Sequence, residues 1–315
     1  MTRTLLAGAC VLVVAQLCAA AQPVPTTKPV HAVDRHSIQG ILVQVNPARQ
    51  SIVVSCDAVP GYMDAMVMPF TVRGPANFKS LVPGATVRFD MLESKNQSFA
   101  EHLQEVDVSN HESEPIEAGR LTFLQQAMDP AAAAKVVRVG QPVPDFTLID
   151  QASEPTHLSQ FKGKVVALTF AYSRCPNPNY CFRLSNNLSI TERRFHAQAG
   201  SSLILITVVI DPDHDQGAAL AKYADTWKAD PKAWRFLTGS LDDVHNVAEL
   251  FGMGFWNDEG FLAHTFHTVV IDRDGKLAAN IEGNQFTARQ LGDLVANVMR
   301  RPATDAPTSA SSSLP

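Results

Sequence analysis

Apolar positions in the first third of the chain recur at strand spacing. Ile41, Val43 and Val45 alternate up to the Asn46-Pro47 turn signal, and Ile52-Val53-Val54 follows it. Met66 to Val72 is another extended run, and Pro83-Gly84 marks a turn into the alternating Val87, Phe89 and Met91. Phe99, Leu103, Val106 and Val108 close the region. About five short strands within residues 38–108 predict a small antiparallel all-β barrel of the OB type. Residues 109–138 read as a linker with one short helix, because Leu121, Leu124 and Met128 fall near helical spacing and Ala131 to Ala134 favours helix. From Val139 strands and helices alternate. Strands are expected at Val165–Phe170, Leu203–Ile210, Thr268–Ile271 and Lys276–Ile281. Helices are expected from Cys181 to about Ala199, over Ala218–Trp227 and Val244–Phe251, and from Ala288 to Met299 behind a Thr287 cap. The pattern over 139–302 is that of a mainly parallel α/β sheet, so the fold class is two domains, an OB-like barrel followed by an α/β domain.

Composition narrows the function classes. A net charge of −5 over 315 residues gives no broad basic footprint for nucleic acid. No internal apolar run approaches the roughly 20 residues of a membrane helix. Arg3, the apolar stretch Leu5–Leu17 and the small residues Ala19-Ala20-Ala21 predict a signal peptide over residues 1–21 and a periplasmic address, with an uncleaved anchor as the alternative. A Pro- and Thr-rich linker, 22–37, follows, and 303–315 is a solvated tail. Cys10 and Cys18 leave with the signal. Cys56, Cys175 and Cys181 then stand as an odd set in an oxidising compartment, which points to a reactive thiol or a metal ligand.

The segment Tyr172-Ser173-Arg174-Cys175-Pro176-Asn177-Pro178-Asn179-Tyr180-Cys181 lies between a buried strand and a helix. A helix N-terminus and the neighbouring Arg174 would both favour a thiolate at Cys175. With Phe146-Thr147-Leu148 and Asp150, the run Val209 to Asp215, and His264 to Asp272, this stretch resembles the Sco/SenC copper chaperones of cytochrome oxidase assembly. The resemblance covers about residues 139–300 and implies a thioredoxin-like fold. It implies copper held by Cys175, Cys181 and His264, with Cys175 and Cys181 as a redox-active pair. The spacing departs from the family's C-x-x-x-C, being C-x₅-C with Phe182 next, and this bears on affinity and potential. Two thiolates and an imidazole suit Cu(I), admit Cu(II) and Zn²⁺, and exclude hard ions. His267, where related oxidoreductases carry a proline, is either a supporting donor, an alternative ligand or a plain exposed residue.

In the first domain Met66 and Met68 stand two apart on an extended run, which sets both thioethers on one face, and Met63 beside Pro60-Gly61 can lean over them. Thioethers are soft, uncharged donors that cannot form disulfides. Residues 38–92 resemble the CusF-type periplasmic copper-binding domain, whose motif is M-x-M behind a Pro-Gly turn with a His further upstream. The resemblance implies Cu(I) at Met66 and Met68, with Cys56 in the histidine's place and Met63 as a further ligand.

These readings converge on a periplasmic copper-binding chaperone with two tethered sites, an acceptor such as a cytochrome c oxidase subunit, and a thioredoxin-like reductant for the cysteine pair. Two rivals remain: a thiol–disulfide oxidoreductase acting on the acceptor's cysteines, and a copper-tolerance protein that sequesters without delivering.

Overall fold

The computed structural model describes residues 35–94, 97–106, 135–258 and 261–302. The expected signal peptide, most of both linkers with their short helix, and the tail fall outside the described residues.

Five strands, β1 (Arg35–Asn46), β2 (Ser51–Cys56), β3 (Val67–Val72), β4 (Thr86–Ser94) and β5 (Gln97–Glu105), close into a barrel in the order β1-β2-β3-β5-β4. The strands match the expected ones, but β1 starts at Arg35, inside the expected linker, and the closing β3–β5 pair is parallel. Closure leaves no strand edge for another chain to extend. Ile38, Leu42, Ile52, Val54, Phe70 and Phe89 fill the interior.

β1 is buried on both faces. Its pairing with β2 shifts between Leu42 and Gln44, and a bulge there adds one residue. Leu42 and Val45 therefore both pack into the barrel, while Ile41 and Val43 pack into the core of the second domain. The two domains are thus docked rather than loosely tethered. The Pro83-Gly84 turn makes a second contact: Gly84 has φ +99°, and a Cβ there would lie 2.3 Å from the Asn280 carbonyl oxygen. Only glycine lets the backbones approach so closely.

The second domain carries a seven-stranded sheet ordered β14-β13-β8-β9-β10-β6-β7. Its strands are β6 (Thr147–Asp150), β7 (Pro155–His157), β8 (Val165–Ala171), β9 (Leu203–Val209), β10 (Trp234–Thr238), β13 (His267–Ile271) and β14 (Leu277–Glu282). Only β8–β9 and β9–β10 run parallel, so the sheet is mixed rather than mainly parallel. Every residue of β8 and β9 is buried, as continuous apolar runs require at a sheet centre. Among the described residues four α-helices accompany it: α1 (Arg183–Arg194), α2 (Ala218–Thr226), α3 (Leu241–Leu250) and α4 (Ala288–Arg300). A hairpin of β11 (Phe255–Asp258) and β12 (Phe261–His264) stands apart from the main sheet. Thr287 caps α4, as the sequence predicts, and the structure adds a reciprocal box with Gln290. No described helix is long and apolar enough to cross a membrane.

Candidate metal centres

The chain leaves β8 through Tyr172, turns at Cys175 and makes one irregular turn over Pro178–Phe182 before α1 begins at Arg183. Cys175 therefore does not sit on a helix N-terminus. Nor does Arg174 serve its sulfur: the guanidinium holds Asp211 through Nε (3.1 Å) and Nη2 (2.7 Å), and Nη2 also meets His214 Nδ1 at 2.8 Å. Ser173 is fixed by Asp215, through its backbone N–H at 2.8 Å and through its hydroxyl. The acid-rich turn after β9 thus braces the loop, with Asp211 and Asp215 buried.

Cys181 is buried, and its Sγ lies 3.6 Å from His264 Nε2. His264 ends β12, and its Nδ1 is 2.9 Å from the Thr265 carbonyl oxygen. A carbonyl only accepts, so Nδ1 carries the proton and the Nε2 lone pair faces the sulfur. Tyr172 supports this ring twice: its hydroxyl donates to the Leu262 carbonyl on β12 (3.2 Å), and its ring meets the imidazole edge-on. Phe266 also meets the ring edge-on, and Tyr180 packs on Phe266.

The electrostatics divide the two thiols. A hydrogen bond from Cys181 brings the Cys175 thiol down to about 6 despite its burial. Donating that bond, together with burial, drives Cys181 well above the ordinary thiol range. Burial brings His264 down to about 4, so its imidazole is neutral and available as a donor at neutral pH. The three cysteines among the described residues, Cys56, Cys175 and Cys181, are free thiols. Cys175, Cys181 and His264 thus form a chain of two contacts. Among the described residues no three His, Cys, Asp or Glu side chains already stand at metal-holding distances, so a shared ion requires a shift of the loop. His267 is buried rather than exposed, with its Nδ1 at 3.1 Å from Asn280 Oδ1.

In the barrel, Val54 pairs with Met68, and the Cys56 N–H donates to the Met66 carbonyl oxygen at 2.8 Å. Opposed residues share a face, so Cys56, Met66 and Met68 belong to the inner rows with Val54 and Phe70. They are graded along the barrel: Phe70 is sealed, Met68 half-buried, and Met66 48% exposed at the mouth. Met63 is half-buried and packs on the same core. Cys56 lies fully inside, 3.6 Å from the Val54 carbonyl oxygen, and burial pushes its thiol up to about 12 against the pull of Arg289. Sequence reasoning passed over His36, which alternates into the same rows as Ile38. Its ring stacks on Tyr62 at 3.5 Å, and its buried Nε2 has no hydrogen-bond partner. The alternation His36, Ile38, Gly40, Leu42 was the available signal.

Comparison with known proteins assigns both domains. The SCO1/SenC family model matches residues 138–300, and the model of the copper binding periplasmic protein CusF matches residues 35–104. An SCO2-like protein of Rickettsia typhi is 26% identical over 140 residues, 42% of this chain and 65% of that protein. The mitochondrial SCO2 homolog of Mus musculus is 25% identical over 166 residues, 50% of this chain and 62% of that one. The chain thus spans a little under two thirds of the length of these relatives. The crystal structure of Arabidopsis thaliana ScoI with copper bound superposes with a TM-score of 0.45 at 17% identity, covering 51% of this chain and all of that one. A match over more than half of the chain decides the matter: the protein belongs to the SCO1/SenC family, with a CusF-type barrel ahead of its thioredoxin-like domain.

Proposed function

We propose that the protein is a periplasmic copper metallochaperone that takes Cu(I) at the barrel mouth and holds copper at Cys175, Cys181 and His264 for delivery to a copper centre of cytochrome c oxidase. The observation that carries this reading is the Cys175–Cys181–His264 chain, in which a thiolate, a thiol and a neutral imidazole meet at the end of a central strand. Soft sulfur with one nitrogen selects copper over hard ions. At the barrel, Met66 and Met68 are the donors, with Met63 beside them and Cys56 joining on loss of its proton. Membership of the family and the name of the CusF model support copper and a periplasmic site of action.

The test is metal analysis of the reduced mature chain after Cu(I) titration. Two equivalents are expected, one lost in Cys175→Ser and the other in Met66→Ile. Unchanged stoichiometry in both variants would reject both assignments.

The paired sulfurs also favour a second activity. The Cys175 thiolate would attack a disulfide of the acceptor, forming a mixed disulfide, and Cys181 would then close the Cys175–Cys181 disulfide and release the acceptor as a dithiol. An external dithiol of thioredoxin type would supply the two electrons that reset the pair. Reduction of an oxidase fragment that persists in His264→Ala would separate this chemistry from copper delivery.

A further inference from the structure

The segment from Asn284 to Asp293 contributes no donor to either centre, yet it grips the backbone of both. At one end Asn284 Nδ2 donates to the Asn179 carbonyl oxygen in the cysteine loop (3.0 Å). Arg183 and Asn187, on α1 just behind Cys181, donate to the carbonyl oxygens of Gln285 (2.8 Å) and Phe286 (3.0 Å). At the other end the first turn of α4 holds the last residues of β2. Arg289 donates to the Cys56 carbonyl oxygen at 2.6 Å and to Ser55 Oγ at 3.1 Å. Gln290 Nε2 donates to the Ser55 carbonyl oxygen at 3.2 Å and to Asp57 Oδ1 at 2.9 Å. The Ser55 hydroxyl donates to Asp293 Oδ2 at 2.7 Å, and Asp293 is itself held by Arg194 and Arg289.

We infer that residues 284–293 act as a shared strut that positions the barrel's copper donors and links the state of the Cys175–Cys181 loop to the copper affinity of the barrel. The inference rests on the two-site reading above and deepens it. Cys56 is bonded on both sides: its carbonyl accepts from Arg289 and its N–H donates to the Met66 carbonyl. The guanidinium therefore fixes, one ladder bond away, the backbone that carries Met66. Gln290 ties the helix start to the barrel with one side chain, since its Oε1 accepts from the Thr287 N–H to cap α4 while its Nε2 holds β2. Closing a disulfide or a metal chelate over Cys175–Cys181 repositions the loop that Asn284 holds. A short segment with two discrete grips, its second half the start of α4, is the kind of element that carries such a bias, and linkage requires the effect to be reciprocal.

Cu(I) competition against bathocuproine disulfonate, on the full mature chain, reads the barrel's affinity. In Arg289→Ala/Gln290→Ala it is expected to weaken on the order of tenfold, within the usual range of site-to-site coupling. Arg289→Lys, which keeps a charged donor toward the Cys56 carbonyl, is expected to recover part of the loss. Oxidising Cys175–Cys181 in the wild-type chain should shift the barrel's affinity several-fold, and Asn284→Ala should abolish that shift. Barrel affinity within twofold of wild type in a folded Arg289→Ala/Gln290→Ala chain, checked by amide exchange of β2, would overturn the inference. If that double variant does not fold, Ser55→Ala decides, with a loss of about threefold expected from removing one of these hydrogen bonds. Failure of the two-site reading looks different, for the barrel would then bind no Cu(I) at all.

Discussion

On the proposed function, the two candidate centres would hold a soft cation with opposite electrostatics. At the barrel mouth the donors are neutral thioethers, and Met66 is half exposed. At the end of β8 the donors are a thiol brought down to about 6, a second thiol driven up, and an imidazole brought down to about 4. Thioethers need no deprotonation and form no disulfide, so the barrel suits capture under varying pH and redox conditions. The cysteine centre is tied to both variables, since its donors gain or lose protons and its sulfurs can join. In the proposed copper carrier, a capture site that tolerates its surroundings would thus be paired with a site that responds to them.

The sharpest way to break this comparison is oxidation. Diamide, which closes the Cys175–Cys181 pair, should remove copper retention at that centre altogether while the barrel keeps its equivalent. The measure is metal content after desalting. Loss of both equivalents would show that the barrel also depends on a thiol in its working state.

Next in size is the contrast in thiol reactivity. With its pKa at about 6, Cys175 is about nine-tenths thiolate at pH 7. Cys56, at about 12 and buried, is almost wholly protonated there. Iodoacetamide at pH 7 should therefore label Cys175 at least ~10³ times faster than Cys56, followed by peptide mass analysis. Comparable rates would mean that the barrel thiol is neither buried nor protonated as described.

Much of this was legible in the sequence, and the gaps have physical causes. β8 and β9 are unbroken apolar runs, and Thr287 announces the start of α4. β10 was missed because Trp234–Thr238 is short and Arg235 interrupts its apolar pattern. The hairpin of β11 and β12 was missed because its strands are four residues each and their partner is only one another. Docking of the domains left a signal in β1: Ile41-Leu42-Val43 is apolar on both faces, which a barrel strand with one wet face does not need. Residue types at their spacing pointed to soft-donor chemistry, while the candidate ligand sets themselves came from the two family resemblances. The low pKa of Cys175 was expected from a helix terminus and arises instead from Cys181, a contact that only the folded loop creates.

A third prediction uses the imidazoles. His264 is held near 4 by burial, against ~6.5 in an open chain, so on acidification the unfolded state takes up a proton that the folded state refuses. Stability is therefore fully present above about pH 6.5 and falls as pH drops toward 4, by at most about 3 kcal/mol from this residue. His267, also pushed down by burial, adds in the same direction. Urea midpoints of the metal-free chain should fall across that window, and His264→Gln should flatten part of the decline. A midpoint constant from pH 6.5 to 4.5 would contradict the buried neutral ring.

The smallest effect expected separates the two modes of sulfur donation inside the barrel itself. Cys56 shares the inner face with Met66 and Met68, but its proton is costly to remove at about 12. Copper bound by thioethers alone would show an affinity independent of pH. Copper that recruits Cys56 must expel that proton, so affinity would rise by up to about tenfold per pH unit. Cys56→Ser should lower barrel affinity on the order of tenfold at pH 8 and flatten that slope, while leaving the one equivalent in place because the two methionines remain. The comparison of wild type and variant at pH 6 and pH 8, by chelator competition, measures both quantities together. A slope that persists in Cys56→Ser would assign the proton to another group. A flat wild-type profile would leave Met66 and Met68 as the working donors and Cys56 as part of the core that supports them.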